Sequence, residues 1–118
     1  MKSISFEYIE TKQGYITFNK AVVSGEFSGS SNFCLSIDAL SDAIIYINKI
    51  YVELNGEFQI NDYDSNDFIL FKVEKYGHVK ISGQVGGTHR KQYLVYEMDT
   101  DQTFLKEIIS NLEKLINT

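Results

Sequence analysis

The hydrophobic period of this chain changes from two to between three and four at two places, and those changes restrict its fold more than any other feature. Ile4, Phe6 and Tyr8 alternate with Ser3, Ser5 and Glu7, the pattern of a half-buried strand. Phe33, Leu35 and Ile37 alternate in the same way. From there Ile37, Leu40, Ile44, Ile47, Tyr51 and Leu54 recur at spacings of three and four, one stripe of an amphipathic helix. Asp38 is placed to cap that helix and Asn55-Gly56 to end it, since glycine adopts the left-handed conformation without strain. Ile45, Ile50 and Val52 lie off the stripe, so the helix either is buried on more than one side or exposes an apolar patch.

Strand signals fill the rest of the first third: residues 15–18 and 22–27, with turns at Gln13-Gly14 and Asn19-Lys20. Gly25 is placed as a bulge and residues 28–31 as a loop by composition. After the helix, residues 57–62, 67–74 and 92–98 read as strands, and Val79, Ile81, Gly83 and Val85 alternate on another. Tyr76-Gly77 marks a turn. A second helix is expected over residues 100–116, capped by Asp99 or Thr100, with Phe104, Leu105, Ile108, Ile109, Leu112, Leu115 and Ile116 as its apolar face. The expectation is an α+β fold: an antiparallel β-sheet with two α-helices packed on one face, in the order ββββ-α-ββββ-α.

The 118 residues fit a single domain, and a composition 43% hydrophobic and 23% charged supports a real core. No apolar run approaches the roughly 20 residues of a membrane span. The opening Met-Lys-Ser-Ile-Ser-Phe-Glu reads as a strand and not as a signal peptide, and Cys34 is the sole cysteine. Both favour the cytoplasm. Abundant Tyr, Ile, Asn and Lys, with their A/T-rich codons, point to a low-GC bacterial source. The net charge of −5 argues against nucleic acid as the main partner.

Three stretches invite a chemical reading. Asp62-Tyr63-Asp64-Ser65-Asn66-Asp67 starts like a calcium loop, but Asp67 stands where the turn glycine belongs and Val73 where the bidentate Glu belongs. Gly83-Gln84-Val85-Gly86-Gly87-Thr88-His89 resembles a phosphate-binding turn, yet it joins two strands and lacks a following Gly-Lys-Ser/Thr. His78, His89 and Cys34 are too few for a zinc site without carboxylates. Cys34 between Phe33 and Leu35 reads as a small hydrophobe and not as a nucleophile. No catalytic residue, metal ligand or cofactor is expected. Of the eight Phe and eight Tyr, some Tyr should be exposed as at protein interfaces, with Tyr51, Tyr63, Tyr76 and Tyr93 as candidates.

Charge is uneven. Glu53, Glu57, Asp62, Asp64 and Asp67 form an acidic run, followed by Lys72, Lys75, Lys80, Arg90 and Lys91, opposed only by Glu74. Either the two runs neutralise each other across a hairpin or the acidic one faces a partner.

Glu26-Phe27-Ser28-Gly29-Ser30 before a strand and helix, and Tyr76-Gly77-His78-Val79-Lys80-Ile81-Ser82-Gly83 leading to Thr100-Asp101-Gln102-Thr103-Phe104-Leu105, are similar to the WapI-like bacterial immunity proteins. The tryptophan often found early in such sequences is absent. The resemblance covers roughly residues 26–112, and its motifs mark a turn and a helix cap. It implies a cytoplasmic inhibitor that binds one toxin domain directly. A toxin nuclease needs a basic cleft, so the acidic run supplies the expected docking residues: Glu57, Asp62, Tyr63, Asp64 and Asp67. The alternatives are a small-molecule or carbohydrate-binding module, which would show a pocket with convergent polar groups, and then a small hydrolase.

Overall fold

The computed structural model describes residues 2–87 and 92–117. Three strands, β1 (Lys2–Lys12), β2 (Tyr15–Ser24) and β3 (Phe27–Ser36), form one antiparallel sheet in that order. Helix α1 (Ile37–Glu53) follows. Strands β4 (Gly56–Asn61), β5 (Phe68–Val73), β6 (Val79–Val85) and β7 (Leu94–Thr100) make a second antiparallel sheet, also in chain order, and α2 (Gln102–Ile116) ends the fold. The α+β class, the antiparallel pairing and the helix positions all agree with the sequence reading.

The order differs in one respect: it is βββ-α-ββββ-α, divided between two sheets. Residues 15–18 and 22–27 were expected to be separate strands, but β2 runs straight through Asn19 and Lys20. Asn19 faces Asn32 across the β2–β3 pair and donates to its side chain at 3.2 Å. Residues 28–31 continue β3, because their small side chains let the strand pair with Ala21, Val22 and Val23. Gly29 lies against Val85 and Leu94, where a Cβ would come within 2.8 Å of the Val85 methyl. Gly25 serves in the β2–β3 turn with φ +65° and not as a bulge.

Helix α1 is capped two residues earlier than the expected Asp38. Ser36 is the N-cap, its Oγ accepting from the Ala39 N–H at 3.0 Å, and Asp38 sits in the first turn, where its charge suits the helix dipole. At the other end Leu54, and not the Asn55-Gly56 pair, takes the left-handed conformation at φ 56°. Leu40, Ala43, Ile44, Ile47 and Ile50 are buried, so the stripe is rotated towards Ile50 and away from Ile37 and Leu54. Ile45 and Val52 are 65% and 76% exposed. Asp101 caps α2 by accepting from the Phe104 N–H at 3.0 Å, just beyond the expected Asp99 or Thr100.

The two helices pack on each other, α1 also against β3, β4 and β5, and α2 against β1. Strands β2 and β3 meet β6 and β7. Phe18, Phe33, Ile47, Phe71, Ile81 and Leu105 are among the fully buried residues that join these elements into one core. Burying a side chain of that size stabilises by about 1.5–3 kcal/mol.

Candidate functional site

The acidic β4–β5 connection lies against β3, so it touches both sheets. Its two ends are tied together by the Asp62 N–H donating to the Asp67 carbonyl at 3.0 Å. The Asp62 carboxylate then turns inward. Oδ1 accepts from the Cys34 N–H at 2.8 Å and, more weakly, from the Asp64 N–H at 3.4 Å. Oδ2 accepts from the Ser65 hydroxyl at 2.5 Å. The Tyr63 N–H donates to the Cys34 carbonyl at 3.0 Å, so the loop bonds the β3 edge as a short strand would.

Asp67 is buried more deeply, at 1% exposure. Its carboxylate accepts from Ser31 Oγ at 2.7 Å, from Gln84 Nε2 at 3.1 Å and from the Gly87 N–H at 2.9 Å. It thereby joins β3, β5 and the end of β6. A buried carboxylate needs donors or a cation near it, and both are present. Lys20, fully buried on β2, donates from Nζ to the carbonyls of Phe68 at 3.2 Å and Gln84 at 3.0 Å, with the Phe33 ring 4.8 Å away. Burial pulls its ammonium down to about 8, opposed by the charges of Asp67 and Asp62. Burial likewise pushes the Tyr96 phenol well up. That hydroxyl lies over Gly83 and has no hydrogen-bond partner among the described residues.

The five expected docking residues therefore separate into three groups. Asp62 and Asp67 are buried and their oxygens are taken by protein donors. Tyr63, 70% exposed, and Asp64 stand outward on the loop. Tyr63 packs edge-on against Tyr15 with ring centroids 5.3 Å apart, and this contact raises the Tyr15 phenol above its ordinary value. Glu57 is exposed but sits on β4 opposite Lys72. Lys80 pairs with Glu97 at 3.8 Å and Lys72 with Glu74 at 3.6 Å. These ion pairs are made with Glu74 and Glu97, outside the acidic run, while Asp67 and Asp62 of the loop act on the buried Lys20. Arg90 and Lys91 lie outside the described residues, as does His89.

The other sequence motifs resolve in the same terms. The calcium-like stretch joins two strands, and its two end carboxylates are occupied by main-chain and hydroxyl donors. Among the described residues no group of His, Cys, Asp and Glu is arranged to hold a metal. In the glycine-rich segment, Gly87 directs its N–H to Asp67, an internal anion in place of a phosphate. His78 meets Asp99 at 3.3 Å, and Cys34 is half-buried on β3. Tyr76 and Tyr93 are exposed and Tyr51 half-buried.

Lys20 was missed because a turn seemed to interrupt β2. Ile16, Phe18, Lys20 and Val22 are four consecutive inward positions at period two, and reading that alternation through the lysine would have found it. An open cleft of about 580 Å³ lies beside the loop, bordered by Thr17, Asn32, Cys34, Asp64, Asp67 and Gly87.

Among curated proteins none matches this chain. Solved structures similar to it include the following two. One is a chain of the CdiA-CT/CdiI toxin and immunity complex from Enterobacter cloacae, at 11% identity and a TM-score of 0.53, covering 97% of this chain and 99% of that one. The other belongs to MRP1/MRP2 of Trypanosoma bruciei, at 10% identity and a TM-score of 0.46, covering 99% and 92%. At such identity the first likeness is one of fold. The model of the immunity protein WapI-like family matches residues 9–118, and this chain belongs to that family.

Proposed function

We propose that this chain is an immunity protein that neutralises a cognate toxin by binding it directly in the cytoplasm. The family match over residues 9–118 is the observation that carries this reading. The likeness in fold to a chain of a toxin and immunity complex agrees with it. Inhibition then needs no chemistry from this chain, only a surface that fits the toxin and holds it.

The outward part of the acidic loop is the docking surface in this reading, with Tyr63 as aromatic anchor and Asp64 as the charge displayed. Aromatic residues in exposed positions carry much of the energy of protein interfaces. A partner with a basic cleft would be drawn to the net charge of −5, which raises the association rate more than the final affinity. Asp62 and Asp67 contribute by holding the loop in shape, and Glu57, opposite Lys72, contributes least.

The test is to express the chain together with any toxin domain found encoded beside its gene. Protection of the cells and a stoichiometric complex of the purified proteins are expected. Intact toxicity with no complex would refute the reading.

A further inference from the structure

Two open sheets leave four edge strands, and natural proteins guard such edges with charges, bulges, short strands or covering elements. Strand β1 carries Lys2, Glu7, Glu10 and Lys12 and has a register break between Tyr8 and Glu10. Strand β4 is six residues long, carries Glu57 and lies beside α1. Strand β7 carries Glu97 and Asp99. Strand β3 differs from all three. Its stretch Phe27-Ser28-Gly29-Ser30-Ser31-Asn32 has no charge and no proline, and its register with β2 is unbroken from Ser36 to Phe27.

The main chain of β3 shows where its free hydrogen-bonding groups point. Cys34 directs both its N–H and its carbonyl away from β2, to Asp62 and Tyr63. Along an antiparallel strand alternate residues bond on the same side. Ser28, Ser30 and Asn32 therefore direct their main-chain groups to that side as well. All three residues are exposed, and among the described residues no strand pairs with them there. The cleft of about 580 Å³ and a neighbouring one of about 720 Å³ share Ser30 and Gly86. Together they make a groove along this edge, from Asp64 to Tyr93.

Charge selects what the groove takes. Asp64 stands outward at one end, beside the buried Asp62 and Asp67. A second copy pairing Ser30 with Ser30 would set Glu26 opposite Cys34, next to those carboxylates, and is disfavoured. We propose that the β3 edge from Ser28 to Asn32 takes up an extended segment of the toxin as an added strand, with Lys or Arg of that segment facing Asp64. The added strand would supply main-chain hydrogen bonds for affinity, and alternate side chains would supply specificity. This rests on the immunity reading and names the surface and chemistry of its interface.

Residue-resolved amide hydrogen exchange, on the free chain and on its complex with the neighbouring toxin domain, tests it. The Ser30 and Asn32 amides should slow by about tenfold or more on binding. Ser30→Pro and Asn32→Pro, which remove outward amides without touching the main-chain bonds to β2, should each weaken binding by about tenfold, and Asn32→Pro also gives up the side-chain bond from Asn19. Ser30→Ala keeps the amide, so exchange at position 30 should still slow on binding. The exchange measurement stands even where a proline variant fails to fold. A tight complex with unchanged exchange at Ser30 and Asn32 would overturn the edge proposal and leave the immunity function intact. Absence of any complex would overturn both, and self-association of the free chain that Ser30→Pro abolishes would assign the edge to a second copy instead.

Discussion

Replacing Asp67 with alanine tests whether the acidic loop is built around a structural carboxylate. The side chain accepts from three donors, Ser31 Oγ, Gln84 Nε2 and the Gly87 N–H, and its charge offsets that of buried Lys20. Hydrogen bonds to a charged group are each worth about 1.5–3 kcal/mol net. They are not additive here, because Ser31 and Gln84 can turn to other partners and the Gly87 amide borders an open cleft. Removing one member of a buried charged network costs about 3–5 kcal/mol. A chain of 118 residues unfolds with an entropy of about 0.25 kcal/mol/K, so a loss of about 4 kcal/mol lowers Tm by about 15 °C. Urea unfolding of Asp67→Ala beside Asp64→Ala is the assay. The exposed Asp64 should cost less than about 0.5 kcal/mol. An Asp67→Ala variant within about 1 kcal/mol of the parent would refute the reasoning, since the donors would then be satisfied without the carboxylate.

Lys20 imposes a pH dependence of known sign. Its folded value, about 8, lies below the ordinary 10.5, so between those values the unfolded chain binds more protons and stability rises with pH. The gain is about 3 kcal/mol at most. Above pH 10 the raised Tyr96 phenol acts oppositely, and stability should fall again. Denaturant unfolding from pH 7 to 11 should show this maximum, and Lys20→Met should lack the rise; a flat parent profile would contradict the burial of a charged amine. Asp64→Lys should leave the fold intact but slow association with the toxin domain severalfold at low salt, read by stopped-flow, and an unchanged rate would remove Asp64 from the interface. Gly83→Ala should destabilise by about 2–3 kcal/mol, because its Cβ would collide with the Phe68 carbonyl and the Tyr96 ring. A thermal melt equal to the parent's would show that both the β5 main chain and Tyr96 can move aside.

Local pattern carried much of this fold. The stripes Leu40–Ile44–Ile47 and Ile108–Leu112 are buried as their spacing requires, because a helix exposes its period to anyone reading the sequence. Sheet membership is different. Whether β3 pairs with β4 or ends a sheet depends on contacts between distant residues, and no local period records them. The stretch Ser28-Gly29-Ser30-Ser31 has loop composition, yet it is strand because β2 and β6 offer it close approach. The division within the acidic loop was illegible for a related reason. Asp62 and Asp67 have the same residue type as Asp64, and their burial follows from donors on Cys34, Ser31 and Gln84, at separations of 28, 36 and 17 residues. Chemistry alone marked the segment; only the third dimension divides its carboxylates into those that hold and those that face outward.

The tie between Asp62 and Asp67 has an evolutionary meaning. A loop closed at both ends by buried carboxylates can change its tip without changing its anchor, so Tyr63 and Asp64 can be exchanged at little expense to folding. An inhibitor whose target diversifies needs that separation, because most substitutions at a buried anchor would destabilise the chain before any new partner could be tested. In this fold the residues free to drift and the residues that must stay are neighbours in sequence, one position apart.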